Sequence, residues 1–395
     1  MLGSIYIGLS GMKAYSQGLQ TISNNVANMN TLGFKSTTVN FTDLYSYGGG
    51  GISYLGSSVS GSGTRMAAPL VNFSQGDLRQ SENDLDLAIQ GSGFLVLYDG
   101  EKTYYARTGQ FVVDEAGYIS QQGTDYHLAV LDSSGKPVAI NIDARRTSPP
   151  EATTRVTFAD NLSSTGTTAS VSGVVVFDST GGKHVLTVQF DKAAVQSGTT
   201  TDWAVTVKDE TGTTVGTSTL SFTGSSVDPS TSELTINAQF GGTATPLVFD
   251  FSKGVTSYSG GTTSTLRSSS TDGRGVGALT SVAVDADGQL KLTWSNEKTE
   301  LLGAIAIADF RDPQQLQSVG NGRYTYSGEG QKRVLASGAE GVGKIVSKQL
   351  EASNVDLSQE FGDLILIQRG FQASSQVVSV SNDMIQQLFG IRGQG

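Results

Sequence analysis

The sequence predicts a mainly β chain with an α-helix at each terminus: coiled-coil-like N- and C-terminal helices, a β-rich middle domain, and an all-β outer domain inserted into it. Three observations carry this. No proline precedes Pro69 and none follows Pro313, so both ends are free to be helical. Apolar residues recur every seven positions in both end segments, the spacing of a helix that packs along one stripe. Between the ends the apolar period falls to two, with glycine-containing breaks, which is the texture of strands and turns.

The first segment, 1–35, carries Ile5, Met12, Leu19 and Val26 at heptad spacing, with Tyr15, Ile22 and Met29 three residues later. Four asparagines (Asn24, Asn25, Asn28, Asn30) and Gly33 end this helix. Asparagine side chains compete for local backbone groups, and Asn30 or Gly33 suits a left-handed cap. Residues 36–70 read as a flexible connector, because "YSYGGGGISYLGSSVSGSG" has too little side-chain bulk for a core. The runs "LDLAIQGSGFLVLYDG", "TYYARTGQFVVDEAGYI" and "HLAVLDSSGKPVAI" make 71–148 the first part of a β domain, and 285–345 completes it.

"RRTSPPEATT" marks a boundary, after which the Thr-, Ser- and Gly-rich strands of 149–284 form the inserted domain. The final segment, 346–395, reads as the second helix. Leu350, Leu357, Leu364, Phe371, Val378 and Ile385 form an unbroken seven-residue series, Phe361 and Ile367 fill part of a second row, and the opposite face is Ser, Gln, Asn and Asp.

Composition removes several classes of function. Without cysteine, thiolate metal sites and cysteine nucleophiles are impossible. A net charge of −10 with no basic cluster disfavours nucleic acid and anionic lipid. The sequence has no run of about 18 apolar residues, the length a membrane-spanning helix needs, and the N-terminus lacks the basic start and apolar block of a cleaved signal. The two histidines, His127 and His184, sit in strand-like runs, and "VDADG" around Asp285 and Asp287 is a hairpin turn that lacks calcium-loop spacing. "DGRGVG" (272–277) has no helix after it to cradle phosphate. No active site, cofactor site or metal site is expected.

The terminal helices remain to be explained. One reading pairs them inside a single chain as an ordinary coiled coil. The other makes them assembly elements. Ordering a residue costs about 1–2 kcal/mol of backbone entropy, whereas one apolar stripe returns only about 1.5–3 kcal/mol per large buried side chain. A lone pair would also leave Tyr6, Leu9, Ile365 and Val377 uncovered. Helices of neighbouring copies would cover them.

The segment "ANMNTLGFK" (27–35) resembles the Ala-Asn-x-x-Thr-x-Gly-Phe-Lys/Arg signature of bacterial flagellar rod and hook proteins. "QGDLRQSENDLDLAIQGSGFLVL" (75–97), "YARTGQFVVDEAGYI" (105–119) and "LEASNVDLSQEFGDLILIQRGFQASSQVVSVSNDMIQQL" (350–388) are similar to further segments of that family. The large block between the halves of the first β domain is the pattern of the family's hook members; a distal rod protein is the alternative, and an extracellular adhesin gripping a surface with its middle domain is a second rival.

The resemblance implies a structural subunit, not an enzyme, that self-assembles into the curved tubular hook of the flagellum. Both terminal helices would line the tube, the first β domain would form a middle shell and the inserted domain would face solvent. It further implies export without a cleaved signal peptide, a location outside the cell, and partners comprising itself, the distal rod, the hook cap and the hook–filament junction proteins. Asn28, Gly33 and Phe34 then join the heptad residues as interface positions, Phe34 docking against a neighbour. Bending would occur at hinges Gly48, Gly49, Gly50 and Gly51 and at Pro149 and Pro150.

Overall fold

The protein is described by a computed structural model covering residues 2–45, 61–194, 200–240, 243–328 and 331–392. The chain forms two compact units. The first comprises residues 1–143, 282–291 and 301–395; the second comprises 144–281 and 292–300. The architecture is mainly β with a helix near each terminus: α1 (Leu2–Ala27) and α2 (Leu357–Arg392).

In the first unit α1 ends where the asparagines begin. Asn28 donates from its backbone to Asn24 and Asn25, Thr31 to Asn28, and Phe34 to Thr31, so a series of turns replaces the helix. Gly33, at φ +67, takes the left-handed conformation, and Asn30 does not. The segment expected to be a connector is more ordered than predicted at both flanks. Phe41–Tyr45 pairs antiparallel with Gly61–Met66, placing Thr42 opposite Arg65, and Thr37–Thr38 pairs with Leu70–Val71. The ring of Phe41 packs on Tyr15 of α1 at 5.1 Å, which gives this hairpin an apolar anchor that its glycine content hid. Gly48–Gly51 lie outside the described residues.

A large sheet forms the body of the unit. Phe94–Asp99 pairs with Lys102–Ala106, His127–Leu131 and Ile307–Phe310, so "FLVL" is flanked on both sides. Alternate residues of a strand point to opposite faces. Leu95 and Leu97 join Leu87, Ile89, Phe111 and Leu128 on one face, while Phe94 and Val96 join Tyr105, Phe310 and Tyr324 on the other. Burial of both faces explains an apolar run without alternation.

One expectation is corrected here. The second helix does not begin at 346. Lys344–Ser347 pairs with Asp86–Gln90, and Gln349–Glu351 pairs with Leu78–Gln80, so Leu350 is a buried strand residue opposite Arg79 and not a heptad position of the helix. The helix starts where Asp356 Oδ1 accepts from the backbone of Ser358 (2.8 Å) and Gln359 (3.3 Å), an N-cap that satisfies donors the helix itself cannot. The seven-residue coincidence of Leu350 with Leu357 crosses that cap.

The second unit is built on a ten-stranded sheet. Arg155–Asn161 runs parallel to Thr243–Asp250 and antiparallel to Arg267–Thr271. Its core holds Phe158, Phe190, Trp203, Phe222, Phe249 and Phe251, all essentially inaccessible. Pro149 and Pro150 lie inside this unit, between the pairing of Thr147–Ser148 with 277–278 and the backbone bridge of Glu151 to Arg274.

Both tryptophans, Trp203 and Trp294, are buried in the second unit, so their fluorescence reports its unfolding. Phe158→Ala is expected to lower its stability by about 3–5 kcal/mol in a denaturant titration followed at those tryptophans. The exposed Lys253→Ala should stay within about 0.5 kcal/mol.

Candidate assembly site

The two helices pack antiparallel along a seam of small residues. Gly8 faces Val378 and Ser374, Gly11 faces Ser374, Gly18 faces Ile367, and Gly370 faces the ring of Tyr15. A Cβ at Gly8 would sit 2.7 Å from Val378 Cγ2, and one at Gly18 would sit 2.8 Å from Ile367 Cδ1. The glycines therefore exist here to let the backbones approach, since a methyl group in such a gap would overlap its neighbour. At the far end Asn25, 1% exposed, donates from Nδ2 to Glu360 Oε1 at 2.8 Å and to Thr37 O at 2.9 Å, while its Oδ1 accepts from Thr37 N at 3.0 Å.

A seam of small residues consumes little apolar surface. Ile22 is buried in it, and Ile5, Met12, Val26, Leu357, Leu364, Val378 and Ile385 are half-buried. Leu19, Phe361 and Phe371 are exposed. The second row of α2 is thus Glu360, Ile367, Ser374 and Ser381, not the row through Phe361, because the helix phase set by Asn25 and Gly18 turns Phe361 outward. With Tyr6, Leu9, Ile365, Leu366, Leu388 and Phe389 also exposed, the pair presents a long apolar surface. Isolated soluble chains seldom carry such a surface without a partner for it.

Below the helices lies a buried ionic knot. Lys35, Glu351 and Arg107 have side chains 0%, 0% and 4% exposed. Glu351 Oε1 accepts from Lys35 Nζ at 2.6 Å and from Gly76 N at 2.8 Å; Oε2 accepts from Arg107 Nε at 3.1 Å. Lys35 Nζ also donates to Ser74 O (2.7 Å), and Arg107 to Gly93 O (2.6 Å) and Ile89 O (3.2 Å). The backbone of Glu351 accepts from Gly33 N and donates to Thr108 Oγ1. Three residues on, Asn354 accepts from Ser36 N and donates to Asn72 O and Ser74 O.

Every polar atom of the knot thus has a partner, as buried charge requires. Burial pushes the Lys35 ammonium below its ordinary value, against the raising effect of Glu351. Burial, and then the Glu351 charge, raises the Tyr324 hydroxyl. Burial likewise raises Glu360, against the hydrogen bond from Asn25 and with help from Asp363 and Asp356.

Of the predicted turn positions, Asn28 bonds locally to Asn24, Gly33 anchors on Glu351, and Phe34 is half-buried. Sequence reasoning singled out neither Glu351 nor Arg107, nor Asn25 and Asn354 as clamps. A signal was present only at Arg107, a lone charge inside a run of strand texture, where charge is costly unless paired; Lys35 and Glu351 lie in segments read as helical. Ser120 donates to Asp114 (2.6 Å) and lies 2.8 Å from His127 Nδ1, with the serine hydrogen directed to the carboxylate. That arrangement ties neighbouring strands together and does not activate a nucleophile. Among the described residues no group of His, Asp and Glu is placed to hold a metal.

Comparison with known proteins places the chain in context. The flagella basal body rod protein family matches residues 5–35, and the flagellar basal body rod FlgEFG protein C-terminal family matches residues 346–391. The flagellar hook protein FlgE of Salmonella typhimurium (strain LT2) is 30% identical over 420 residues, covering 97% of this chain and 98% of that protein. The flagellar hook protein FlgE of Treponema pallidum (strain Nichols) is 28% identical over 469 residues, covering 99% and 100%. The crystal structure of Helicobacter pylori flagellar hook protein FlgE2 is similar over 69% of this chain and 100% of that one, at a TM-score of 0.49 and 14% identity.

Two sets of variants probe the site. Glu351→Gln leaves two buried cations without their counter-charge and is expected to cost about 3–5 kcal/mol in denaturant unfolding of the monomer. Glu360 is probed through pH. Its carboxyl is raised above 4.5, so the folded chain holds that proton more tightly than the unfolded chain. Its contribution to stability is therefore full below pH 4.5 and is lost as pH climbs through the raised value. Glu360→Gln should flatten that part of the profile. For the seam, Gly362 has open space around it and Gly370 does not. Gly362→Ala should stabilise the helix by up to about 1 kcal/mol, while Gly370→Ala should destabilise the pair despite the same gain in propensity.

Proposed function

The chain belongs to the flagellar hook protein family, and on that premise we propose how its parts perform as a hook subunit. The observation that carries the reading is the mismatch on the terminal helices: a small-residue seam within one chain and large apolar side chains left outside it. Copies stacked about a common axis bury that outer surface. The helices then form the inner wall of a tube, held by permanent apolar contacts, and the β units lie outside the wall.

Torque passes through such a tube when its wall stays closed while each subunit shortens and lengthens once per revolution. The polar, Thr-rich second unit suits weak sliding contacts between copies. The glycines Gly48–Gly51 and the Pro149–Pro150 segment are the places we assign to bending. Beyond self-association, the hook reading assigns the distal rod, the hook cap and the hook–filament junction as neighbours, with export through the tube itself.

Purified full-length chain should polymerise into curved tubes visible by electron microscopy. Straight, rigid tubes would instead favour a distal rod protein. Phe361, 52% exposed in the free chain, gives a sharper test. Phe361→Ser should change monomer stability by less than about 0.5 kcal/mol and yet suppress polymerisation. If tubes form as readily as before, the exposed surface is not the contact.

A further inference from the structure

Leu316–Gly320 and Arg323–Tyr326 form an antiparallel hairpin in which Gly320 pairs with Arg323, so Asn321 and Gly322 alone make its turn. Both have positive φ, +52 and +68, as in the type I′ turn whose twist matches that of its strands. This is the one place in the sequence where glycine follows asparagine. Asn321 is exposed. Among the described residues neither its side chain nor the backbone N–H of Gly322 has a hydrogen-bond partner in the protein.

Glycine after asparagine has a specific chemistry. With no Cβ on the second residue, nothing shields its backbone nitrogen from the side-chain amide before it. Once hydroxide has taken its proton, that nitrogen can attack Asn321 Cγ. The new N–Cγ bond closes a five-membered succinimide, and the Cγ–Nδ2 bond breaks to release ammonia. Water then opens the ring at either carbonyl. Opening at Cγ gives aspartate. Opening at the main-chain carbonyl leaves the chain running through Cγ as isoaspartate, with a backbone one atom longer.

The turn holds this reaction back. Ring closure needs Gly322 N nearly eclipsed with Asn321 Cβ about the Cα–C bond. In the first position of a type I′ turn ψ is about +30°, which sets the nitrogen nearly opposite Cβ. Reaction therefore waits on rotation of that bond, and the rotation opens the hairpin. A close fit resists it: a Cβ on Gly322 would sit 2.8 Å from Leu32 O and 3.4 Å from Gly33 O. The backbone of Gly322 is thus wedged against the turn that follows α1, where Gly33 N donates to Glu351 O at 2.8 Å.

We propose that Asn321 is a modification site: it deamidates when the hairpin opens, and its isoaspartyl product prevents the hairpin from closing again. The lengthened backbone does not keep Gly322 in the narrow space beside Leu32 and Gly33 while Gly320 stays paired with Arg323. Conversion is therefore one-way and marks chains whose hairpin has come loose. The proposal stands apart from the self-assembly reading, since every atom involved belongs to one chain.

The test follows the full-length chain in mildly alkaline buffer made with heavy-oxygen water, folded in one sample and unfolded in guanidinium chloride in the other. Peptide mapping by mass spectrometry reads each asparagine. In the unfolded chain Asn321 should convert faster than any other asparagine, taking up the heavy oxygen as both aspartate and isoaspartate. In the folded chain the same site should convert at least about tenfold more slowly, because local opening has to precede ring closure. Equal rates overturn the proposal, as does an Asn321 no more reactive than the other asparagines when unfolded. In a second measurement the isoaspartyl chain is isolated, refolded and compared with Asn321→Asp, which carries the same charge on a backbone of ordinary length. Both helices lie in the first unit, so helical circular dichroism reports its unfolding. The isoaspartyl chain should unfold at a lower denaturant concentration than Asn321→Asp. Equal midpoints would mean that Gly322 keeps its place on the longer backbone, and would overturn the one-way step.

Discussion

The carboxylate of Glu351, buried between Lys35 and Arg107, sets where both helices leave the β body. Lys35 closes the turn after α1, Glu351 ends the last strand before α2, and Arg107 belongs to the large sheet's Ala106–Thr108 corner. One acid shared by two bases therefore fixes two chain ends and a sheet in a single geometry. Taking these charges out of water is expensive, so the knot is a poor source of net stability. What it provides is exactness of position: any displacement strands a charge. Gly33 and Gly76 bring backbone N–H groups to the same residue, completing the shell.

From that fixed base the helices rise as a pair whose inner seam is made of Gly8, Gly11, Gly18, Gly370 and Ser374. Glycine in a helix costs up to about 1 kcal/mol relative to alanine, a cost that is offset only if close approach matters. Close approach keeps the pair slim and turns the bulky residues outward. A seam packed with leucine would have been more stable in isolation and would have left nothing to bind a neighbour. Membership of the hook family is consistent with this arrangement, because a subunit that associates with its own copies has to leave a contact surface open.

The strand texture of the middle region was legible because period two and apolar runs follow directly from sheet geometry. "FLVL" was readable as a strand, and the two core clusters on its faces account for its lack of alternation. Leu350 misled because the heptad count ran through Ser353–Asp356 without registering the cap at Asp356. Phe361 shows a different limit: periodicity fixes the spacing of a stripe but not which of two adjacent rows meets the helix of the same chain and which is left outside. Glycines 8, 11 and 18 recur with the same helical logic, yet a pattern search for large apolar residues passes over them.

The sequence alone determined the local character of each segment: helices where proline is absent and the period is near 3.6, strands where it is two, a stop where asparagines compete for the backbone. It also carried the family resemblance in segments such as "ANMNTLGFK" and "LEASNVDLSQEF". Only the tertiary structure decided that Lys35, Arg107 and Glu351 of those separate segments meet, and that the seam is small and the outer face large. The reason is physical. Local preferences act within a few residues of the backbone, whereas pairing of charges and the choice of helix face depend on which surfaces folding brings together from opposite ends of the chain.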